Sequence, residues 1–360
     1  MKTKQIIYLS TLALAITFTS CKKDKPDAPV STTTSAATYD NGVFITNEGP
    51  FGSGTGTVSF YSRSSSTVVN DIFQSKNSYP LGNVVQSMSV FNGKGYIVVN
   101  NSGKIEVVDA GSFASGGVIN GLTNPRYFLG ITNDKGYVSE WGAGGVAGAI
   151  EVIDLNTKTI TSSIATGKGA EGMVKSGNNV YIACSGGNDN DSVVTVINAT
   201  TNAIVKTINV GTNPKSIQVD ANGKVWVLCI GQWNGSYSAL VKTGKLVRIN
   251  TTADTVDLSL PFASTSSQPS NLVINSTKTS LYYSYNGKVY AHSSTASTLN
   301  STAIINRNFY GFGIDPTNDY FYGTDAGDYV SKGKVLRYNT TGVVVDSFTV
   351  GVIPGNFCFK

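Results

Sequence analysis

The sequence of 360 residues lacks most of what a catalytic site requires. It contains a single histidine, His292, and neither a GxSxG nor an HExxH motif. A Ser-His-Asp triad would have only His292 as its imidazole, with no nucleophile motif to accompany it. His292 itself lies in a run that predicts a strand. We therefore expect a protein that is not an enzyme and that uses no cofactor.

Charged residues are also few. Only 14% of the residues are charged, and the formal net charge is +5. The basic residues are scattered along the chain, which argues against a nucleic-acid partner, because nucleic-acid binding concentrates Lys and Arg on one stripe. Glycine, at 39 residues, is abundant together with Ser, Thr and Asn. This composition is typical of secreted β proteins rich in glycine.

The apolar run near the N-terminus is too short to span a membrane. Ile6–Phe18 has 13 residues, whereas a spanning helix needs about 20. It follows Lys2 and Lys4 and leads to Thr19-Ser20-Cys21, so residues 1–20 fit a secretory signal peptide. The small residues before Cys21 resemble a bacterial lipobox, although Phe18 departs from the usual Leu. The resemblance implies lipid attachment at Cys21; an ordinary signal peptide with an incidental cysteine is the alternative.

A repeated unit dominates the rest of the chain. In residues 169–211, short runs alternate in period two and are separated by Gly and Asn, a pattern that indicates strands. Four strands in about 43 residues make one antiparallel meander. A lone meander cannot bury both of its faces, so the unit must stack on copies of itself.

Copies of the unit are present. Its third-strand motif, VTVIN, has counterparts throughout the chain, and the seven motifs end at residues 62, 109, 154, 198, 250, 293 and 339. Their spacing of 43 to 52 residues, with four strands per repeat, predicts an all-β fold, a seven-bladed β-propeller of four-stranded antiparallel blades. An open solenoid is the alternative, but it would need capping repeats at both ends.

The two ends of the repeat region predict how the ring closes. The first repeat begins at Asn41 without a first strand, and the C-terminal IPGNFCFK matches the first-strand pattern NPKSIQVD at 213–220. We expect Pro354–Lys360 to supply the missing inner strand of blade 1, which removes an open sheet edge.

We expect no substantial helix. The predicted organisation is a tether over 21–39, a propeller over 40–360, blade 1 strands near 43–48, 56–62 and 67–73, and further blades over 83–122, 124–167, 169–211, 213–262, 268–309 and 311–351.

Three cysteines remain in the predicted propeller: Cys184, Cys229 and Cys358. Cys184 and Cys229 end equivalent strands of neighbouring blades, and neighbouring blades splay apart. A disulfide would need closer Cα atoms than this arrangement gives. We therefore predict buried thiols.

The loops between second and third strands, and the segments that join blades, share one face of a propeller. Here these loops are long, and we call this side the long-loop face; the turns on the opposite side, the short-turn face, are FNGK, TNDK, SGNN and DANG. Long loops on a rigid scaffold commonly carry binding. The second-to-third-strand loops are 47–56, 140–148, 185–191, 230–244 and 324–333.

The long-loop face carries the predicted ligand-binding residues. Aromatic walls with a few polar groups suit a large, rigid organic ligand. Trp141 and Trp233 lie among glycines outside alternating strands, so we expect them to be exposed. Trp226 lies in the strand-like run VWVLC, so we expect it to be buried in the core. Packing of the loop aromatics against each other is the alternative. The predicted residues are Phe51, Asn77, Tyr79, Arg126, Trp141, Lys168, Glu171, Lys215, Trp233, Tyr237, Gln268, Tyr310, Asp325 and Tyr329.

One loop has the composition of a cation site. Asn188-Asp189-Asn190-Asp191 could offer oxygen ligands to calcium. It lacks the remaining positions of an EF-hand, so we interpret it as a solvated turn and predict no metal site.

The repeat resembles that of a known family. Its GKVYV-type strand, VID-type strand and TIxVGxNP junction resemble the YncE-like propellers over nearly all of residues 40–360. With the lipobox and the opening VFITNEGPFGSGTGTVSFY, the chain is similar to the Bacteroidetes surface lipoproteins of that family, a branch that includes cobalamin-capturing members. The charged start CKKDKPD also resembles their export signals.

The resemblance implies a function on the long-loop face. It implies capture of a corrinoid or cobalamin-like nutrient, delivery to a TonB-dependent outer-membrane transporter, and a lipid anchor that holds the protein in the outer membrane at the cell surface. Fold does not fix the ligand. One alternative is an adhesin or scaffold that recognises protein or glycan on the same face. A propeller lyase or hydrolase is a third alternative.

Overall fold

Antiparallel strands build most of the structure that the computed structural model describes, residues 38–360. They form seven four-stranded sheets and one two-stranded hairpin. The seven sheets are the blades of a β-propeller, so the predicted fold is confirmed. The predicted signal peptide, Cys21 and the part of the predicted tether up to residue 37 lie outside the described residues.

The first four blades follow the predicted repeats. In blade 1 three consecutive strands are joined by the last strand of the chain, β30 (Pro354–Phe359), and in blades 2 to 4 four consecutive strands follow one another. The strands of these blades, apart from β30, are β1 (Gly42–Asn47), β2 (Thr57–Ser62), β3 (Thr67–Val69), β4 (Val85–Phe91), β5 (Lys94–Val99), β6 (Lys104–Asp109), β7 (Ser115–Ile119), β8 (Pro125–Thr132), β9 (Lys135–Glu140), β10 (Ala149–Asp154), β11 (Thr159–Ala165), β12 (Ala170–Ser176), β13 (Asn179–Cys184), β14 (Val193–Asn198) and β15 (Ile204–Asn209).

Blades 5 to 7 complete the ring. Blade 5 has the order β16-β17-β20-β21, and its long loop folds into the separate hairpin β18-β19. The remaining strands are β16 (Pro214–Val219), β17 (Val225–Cys229), β18 (Gln232–Trp233), β19 (Leu240–Lys242), β20 (Lys245–Asn250), β21 (Thr255–Pro261), β22 (Ser270–Ile274), β23 (Ser280–Tyr285), β24 (Lys288–Ser293), β25 (Ala303–Ile305), β26 (Phe312–Ile314), β27 (Phe321–Asp325), β28 (Lys332–Tyr338), β29 (Val344–Val352) and β30 (Pro354–Phe359).

The core is divided among the seven interfaces between blades. Successive side chains of a strand point to opposite faces of the sheet. Val43 and Ile45 of β1 therefore join the cluster between blades 7 and 1, and Phe44 between them joins the cluster between blades 1 and 2. Each of the other five interfaces has its own buried apolar cluster. Both faces of a central strand are thus buried, which a single meander could not achieve.

The C-terminal strand closes the ring as predicted. β30 pairs antiparallel with β1, with Phe44 opposite Cys358 and Ile45 opposite Phe357. Arg63 of blade 1 also reaches Asp315 of blade 7, with Nε–Oδ2 at 2.6 Å and Nη2–Oδ1 at 2.9 Å. The same guanidinium donates to the backbone oxygen of Lys360 at 2.6 Å.

Two helical segments occur in the described range, and one corrects the prediction for blade 1. The outermost strand of blade 1, expected near 67–73, ends at Val69, and the helix α1 (Ile72–Asn77) follows. Ile72 and Phe73 are fully buried in the cluster between blades 1 and 2, so the helix fills the opening between these blades. The other segment is a 3-10 turn at Ala143–Gly145. Neither helix is long and apolar enough to cross a membrane.

The remaining core predictions hold. Cys184, Cys229 and Cys358 are free buried thiols. Trp226 is fully buried, and its Nε1 donates to Asp220 Oδ2 at 2.9 Å. His292 is a buried strand residue of β24.

Candidate functional site

A cavity of about 1130 Å³ occupies the centre of the ring and is lined by residues of all seven blades. Its lining includes four charged residues: Glu48, Arg126, Glu171 and Lys215. The rest of the lining combines amide and aromatic side chains with aliphatic residues such as Ile217 and Leu272, and with serine and glycine. The volume is slightly above the range of about 300–1,000 Å³ found for drug-sized ligands.

A β-bulge recurs at the start of the inner strand in six of the seven blades. There the register against the neighbouring strand slips, and a bulge re-aims a side chain that a regular strand would place differently. All six bulge residues line the cavity, and we call them the bulge ring. In blade order they are Gly355, Gln86, Arg126, Glu171, Lys215 and Asn271.

In five of these blades, a residue in the left-handed backbone conformation precedes the bulge. Two positions before the bulge residue, φ is positive at Val84, Asn124, Gly169, Asn213 and Ile353. Asn and Gly adopt this conformation most readily. The junction motifs NPR, GAE and NPK therefore place Arg126, Glu171 and Lys215 in the ring.

Arg126 and Glu171 form a closed cluster with their neighbours. Arg126 binds Glu171 at two points, Nε–Oε2 at 2.8 Å and Nη2–Oε1 at 2.9 Å. Its Nη1 donates to Gln86 Oε1 at 2.6 Å, and its guanidinium lies 4.3 Å from the Trp141 ring centroid. Trp141 Nε1 donates to Glu171 Oε2 at 2.8 Å. We call these four residues the Arg126 cluster.

The Arg126 cluster keeps Glu171 ionised inside the protein. Its carboxylate is fully buried. Burial alone would raise the pKa of Glu171, but the charge and hydrogen bonds of Arg126, with help from Lys215 and Trp141, hold that pKa below its usual value. Burial alone would lower the pKa of Arg126, but the charge and hydrogen bonds of Glu171, together with a contribution from Glu48, raise that pKa.

Glu48 and Tyr310 occupy the part of the ring that lacks a bulge side chain. Gly355 leaves room there, because a Cβ on it would lie 2.8 Å from Glu48 Oε1. Tyr310 Oη donates to that same oxygen at 3.0 Å. Burial raises the pKa of Glu48, although the Tyr310 hydrogen bond and the charges of Arg126 and Lys215 act against it.

The structure brings half of the predicted site residues to the cavity. The predicted residues that line it are Phe51, Arg126, Trp141, Glu171, Lys215, Gln268 and Tyr310. The predicted residues outside its lining are Asn77, Tyr79, Lys168, Trp233, Tyr237, Asp325 and Tyr329.

Asn77 was placed on the wrong side of the ring. It ends α1, and its Nδ2 donates at 3.0 Å to the backbone oxygen of Phe113, in the turn between β6 and β7 on the short-turn face. Its Oδ1 accepts from Ser115 N at 2.8 Å. Tyr79 donates to Ser115 Oγ at 3.1 Å and packs edge-on against Phe73. Both residues therefore fasten α1 and the following segment to blade 2.

Two predicted charged residues are engaged in surface ion pairs. Lys168 Nζ lies 2.5 Å from Asp189 Oδ2, and Asp325 Oδ2 lies 2.6 Å from Arg307 Nη2. Asp189 belongs to the loop considered for calcium. No group of three or more His, Cys, Asp or Glu that could hold a metal ion is found among residues 38–360.

The predicted exposure of Trp141 and Trp233 is wrong, since both are half-buried. Trp141 is held in the Arg126 cluster, and Trp233 pairs with Leu240 in the hairpin β18-β19. Tyr237 at the tip of that hairpin is 78% exposed. Tyr329 packs edge-on against Tyr310, with ring centroids 5.8 Å apart, so it supports the rim without lining the cavity.

The sequence pattern missed three residues that line the cavity: Glu48, Gln86 and Asn271. Gln86 and Asn271 occupy the bulge position that Arg126, Glu171 and Lys215 hold in other blades. An alignment of the repeats at this position would have found Gln86. In blade 2, however, Val84 takes the left-handed conformation in place of the Asn or Gly that marks it elsewhere.

Comparison with known proteins identifies a family for the chain and solved structures with the same fold. The family model described as Domain of unknown function (DUF5074) matches residues 41–350. No curated protein matches the chain. Among solved structures, a quinoprotein alcohol dehydrogenase-like protein from Bacteroides thetaiotaomicron is similar, with a TM-score of 0.66 and 16% identity over 89% of this chain and 79% of that one.

Two further structures show the same likeness. The periplasmic gluconolactonase of Pseudomonas aeruginosa has a TM-score of 0.63 and 11% identity over 88% of this chain and 98% of its own. A functionally unknown protein from Desulfotomaculum acetoxidans has a TM-score of 0.64 and 12% identity, over 89% and 98% respectively. Likeness at these identities establishes the fold, and fold alone does not imply function.

Proposed function

The chain belongs to the DUF5074 family, and we propose that it captures a large organic ligand, a corrinoid such as cobalamin, in the central cavity. The observation that carries the proposal is the bulge ring, which directs side chains from successive blades to one opening. The ligand enters from the long-loop face and is bound without being transformed.

The size and chemistry of the wall support a corrinoid. A corrinoid is a rigid macrocycle with amide side chains around its edge, and the cavity is slightly larger than a drug-sized ligand needs. Amides both donate and accept hydrogen bonds, so an amide-rich wall matches an amide-rich ligand. The amide side chains of the wall are Gln86, Asn100, Gln218, Gln268, Asn271, Asn286, Asn308 and Asn356.

The Arg126 cluster supports binding because it is already ordered. Trp141 is fixed by the hydrogen bond to Glu171 and by the guanidinium of Arg126. Ordering a side chain on binding costs about 0.5–1.5 kcal/mol, and a wall that is fixed beforehand avoids this cost. Both oxygens of Glu171 accept hydrogen bonds within the cluster, so we assign Glu171 to shaping the wall.

We further propose that the protein works at the outer membrane. The support is the sequence at Thr19-Ser20-Cys21 and the resemblance to surface lipoproteins. Lipid on Cys21 would hold the propeller at the cell surface, and a TonB-dependent transporter would receive the ligand there.

A second candidate function has its own supporting observation. Several large side chains of the long-loop face are exposed: Phe51 and Tyr237 are each 78% exposed, and Tyr329 is 53% exposed. Exposed aromatic residues are enriched where proteins bind other proteins. An adhesin or scaffold that recognises protein or glycan is therefore the alternative.

Isothermal titration calorimetry of the protein that starts at residue 21 separates the two candidates. Corrinoid capture predicts saturable one-to-one binding of cyanocobalamin and no binding of a soluble glycan such as dextran. Heat with the glycan and none with the corrinoid would favour the adhesin.

A further inference from the structure

Three consecutive members of the bulge ring satisfy one another. Arg126 donates to Gln86 on one side and to Glu171 on the other. Glu171 Oε1 accepts one hydrogen bond from Arg126, and Oε2 accepts one from Arg126 and one from Trp141. Although Arg126 lines the cavity, its charge is matched within the protein.

Lys215 is the next member of the ring, and it acts on the carboxyl groups of Glu171 and Glu48 only at a distance, by an attraction that acts to lower their pKa values. It is exposed, lines the cavity, and forms no salt bridge with another residue of the described range 38–360. The neighbouring carboxylate, Glu171, already accepts three hydrogen bonds from Arg126 and Trp141. Within residues 38–360, the cavity lining therefore presents one cation, on blade 5, that forms no salt bridge.

The other carboxyl group of the cavity lies elsewhere in the ring. Glu48 is on blade 1, where Tyr310 of blade 7 donates to it. Blade 6 and blade 7 separate it from Lys215 on one side, and blades 2 to 4 separate it on the other. A ligand in the middle of the ring lies between these two charges.

We propose that Lys215 is an anion subsite of the cavity, whose Nζ contacts a phosphodiester, phosphate or carboxylate group of the captured ligand. This inference rests on the proposed function, because it assigns a part of the ligand to a part of the same cavity. Nζ carries three donors and one positive charge, and its contacts to anionic oxygens are stronger than neutral hydrogen bonds.

The subsite also gives the cavity a basis for discrimination. A ligand that covers Lys215 without offering an anion removes water from an ammonium group and leaves it unpaired, which is unfavourable. A ligand with an anion at that place avoids this penalty. Among corrinoids, cobalamin carries a phosphodiester and cobinamide lacks it, so the cavity should prefer cobalamin.

Calorimetry on the protein from residue 21 onward tests the subsite with cyanocobalamin and dicyanocobinamide. Lys215→Met should weaken cyanocobalamin binding about tenfold, the effect of losing one charge-assisted hydrogen bond, and should leave cobinamide binding unchanged or stronger. Lys242→Met removes another exposed lysine, in β19, and should change neither. Equal effects of Lys215→Met on both corrinoids, or no effect on either, would overturn the proposal.

A second measurement separates the subsite from the corrinoid proposal. Lysines are dimethylated with ¹³C-formaldehyde, and the signal that disappears in Lys215→Met is assigned to Lys215. Titration with inorganic phosphate should shift that signal saturably and more than the other lysine signals. A uniform shift of all lysines, which reports ionic strength alone, overturns the subsite even if cobalamin binds. A selective shift without corrinoid binding keeps the subsite and rejects the corrinoid.

Discussion

Arg126 and Glu171 occupy the same bulge position in neighbouring blades and bind each other at two points, at 2.8 and 2.9 Å. The pair joins blades 3 and 4 at the cavity wall and holds Trp141 between them. The same position of the repeat thus carries complementary side chains in these two blades, and their contact forms part of the cavity wall.

Glu171→Gln should destabilise the protein strongly. Removing one partner of a buried ion pair leaves a buried charge uncompensated and costs about 3–5 kcal/mol. Chemical denaturation followed by circular dichroism would show a lower midpoint. Asp189→Asn is the matched control, because it breaks the exposed pair with Lys168 and should lower the midpoint only slightly, since exposed ion pairs contribute little to stability. Similar small changes in both variants would contradict the role given to the Arg126 cluster.

Deleting Pro354–Lys360 should prevent stable folding. The deletion removes β30 from blade 1, exposes the edge of β1, and removes the buried side chain of Cys358. An unpaired strand edge also promotes association between chains. Thermal unfolding and size-exclusion chromatography are the measurements. A soluble monomer that melts cooperatively near the wild-type temperature would show that closure by β30 is dispensable.

Glu140→Gln should change how stability depends on pH. Burial raises the pKa of Glu140 to about 7, with a smaller contribution from Glu151. Because the folded pKa lies above the unfolded one, the stabilising contribution is complete below about pH 4.5 and is lost as pH rises through 7.

The glutamine keeps an oxygen for the hydrogen bond that Glu140 accepts from Thr123 N at 2.8 Å. The melting temperature of Glu140→Gln relative to wild type should therefore rise between pH 5 and pH 8, with a free-energy change of order 1–3 kcal/mol. A difference that does not vary with pH would show that Glu140 does not titrate in this range.

Cys21→Ser should release the protein from membranes. The proposal of a lipid anchor rests on the lipobox-like sequence before Cys21, and acyl chains supply most of the membrane affinity of such anchors. Fractionation of cells that express the variant should recover a folded propeller in the soluble fraction. Retention in the outer-membrane fraction would mean that another contact holds the protein there.

The fold could be predicted because every repeat carries the same strand pattern. The third-strand motifs fixed the number of blades, and the resemblance of Pro354–Lys360 to another first strand fixed the closure. Helix α1 was missed because its six residues, which include Ile72 and Phe73, are too few to show the period of a helix. What distinguishes them is the gap between blades 1 and 2 that they fill, and a local pattern does not contain that gap.

The candidate site could be predicted only in part. Arg126, Glu171 and Lys215 follow Asn or Gly junctions that mark the bulge, so their place in the chain indicated a shared face. The distance of a side chain from the ring axis depends on how its loop folds back. Asn77 turned toward Phe113 and Lys168 toward Asp189, and neither contact leaves a trace in the spacing of the repeats.

Binding of the ligand in the cavity beside Trp141 is tested most directly by fluorescence titration with cyanocobalamin. A corrinoid absorbs where tryptophan emits, so we expect saturable quenching that is complete at one equivalent. Trp141→Ala should weaken binding about thirtyfold, as expected for an anchoring aromatic residue. Trp233→Ala, outside the cavity lining, should bind as wild type does. No quenching at tens of micromolar protein, or equal affinity in both variants with unchanged melting temperatures, would contradict the account.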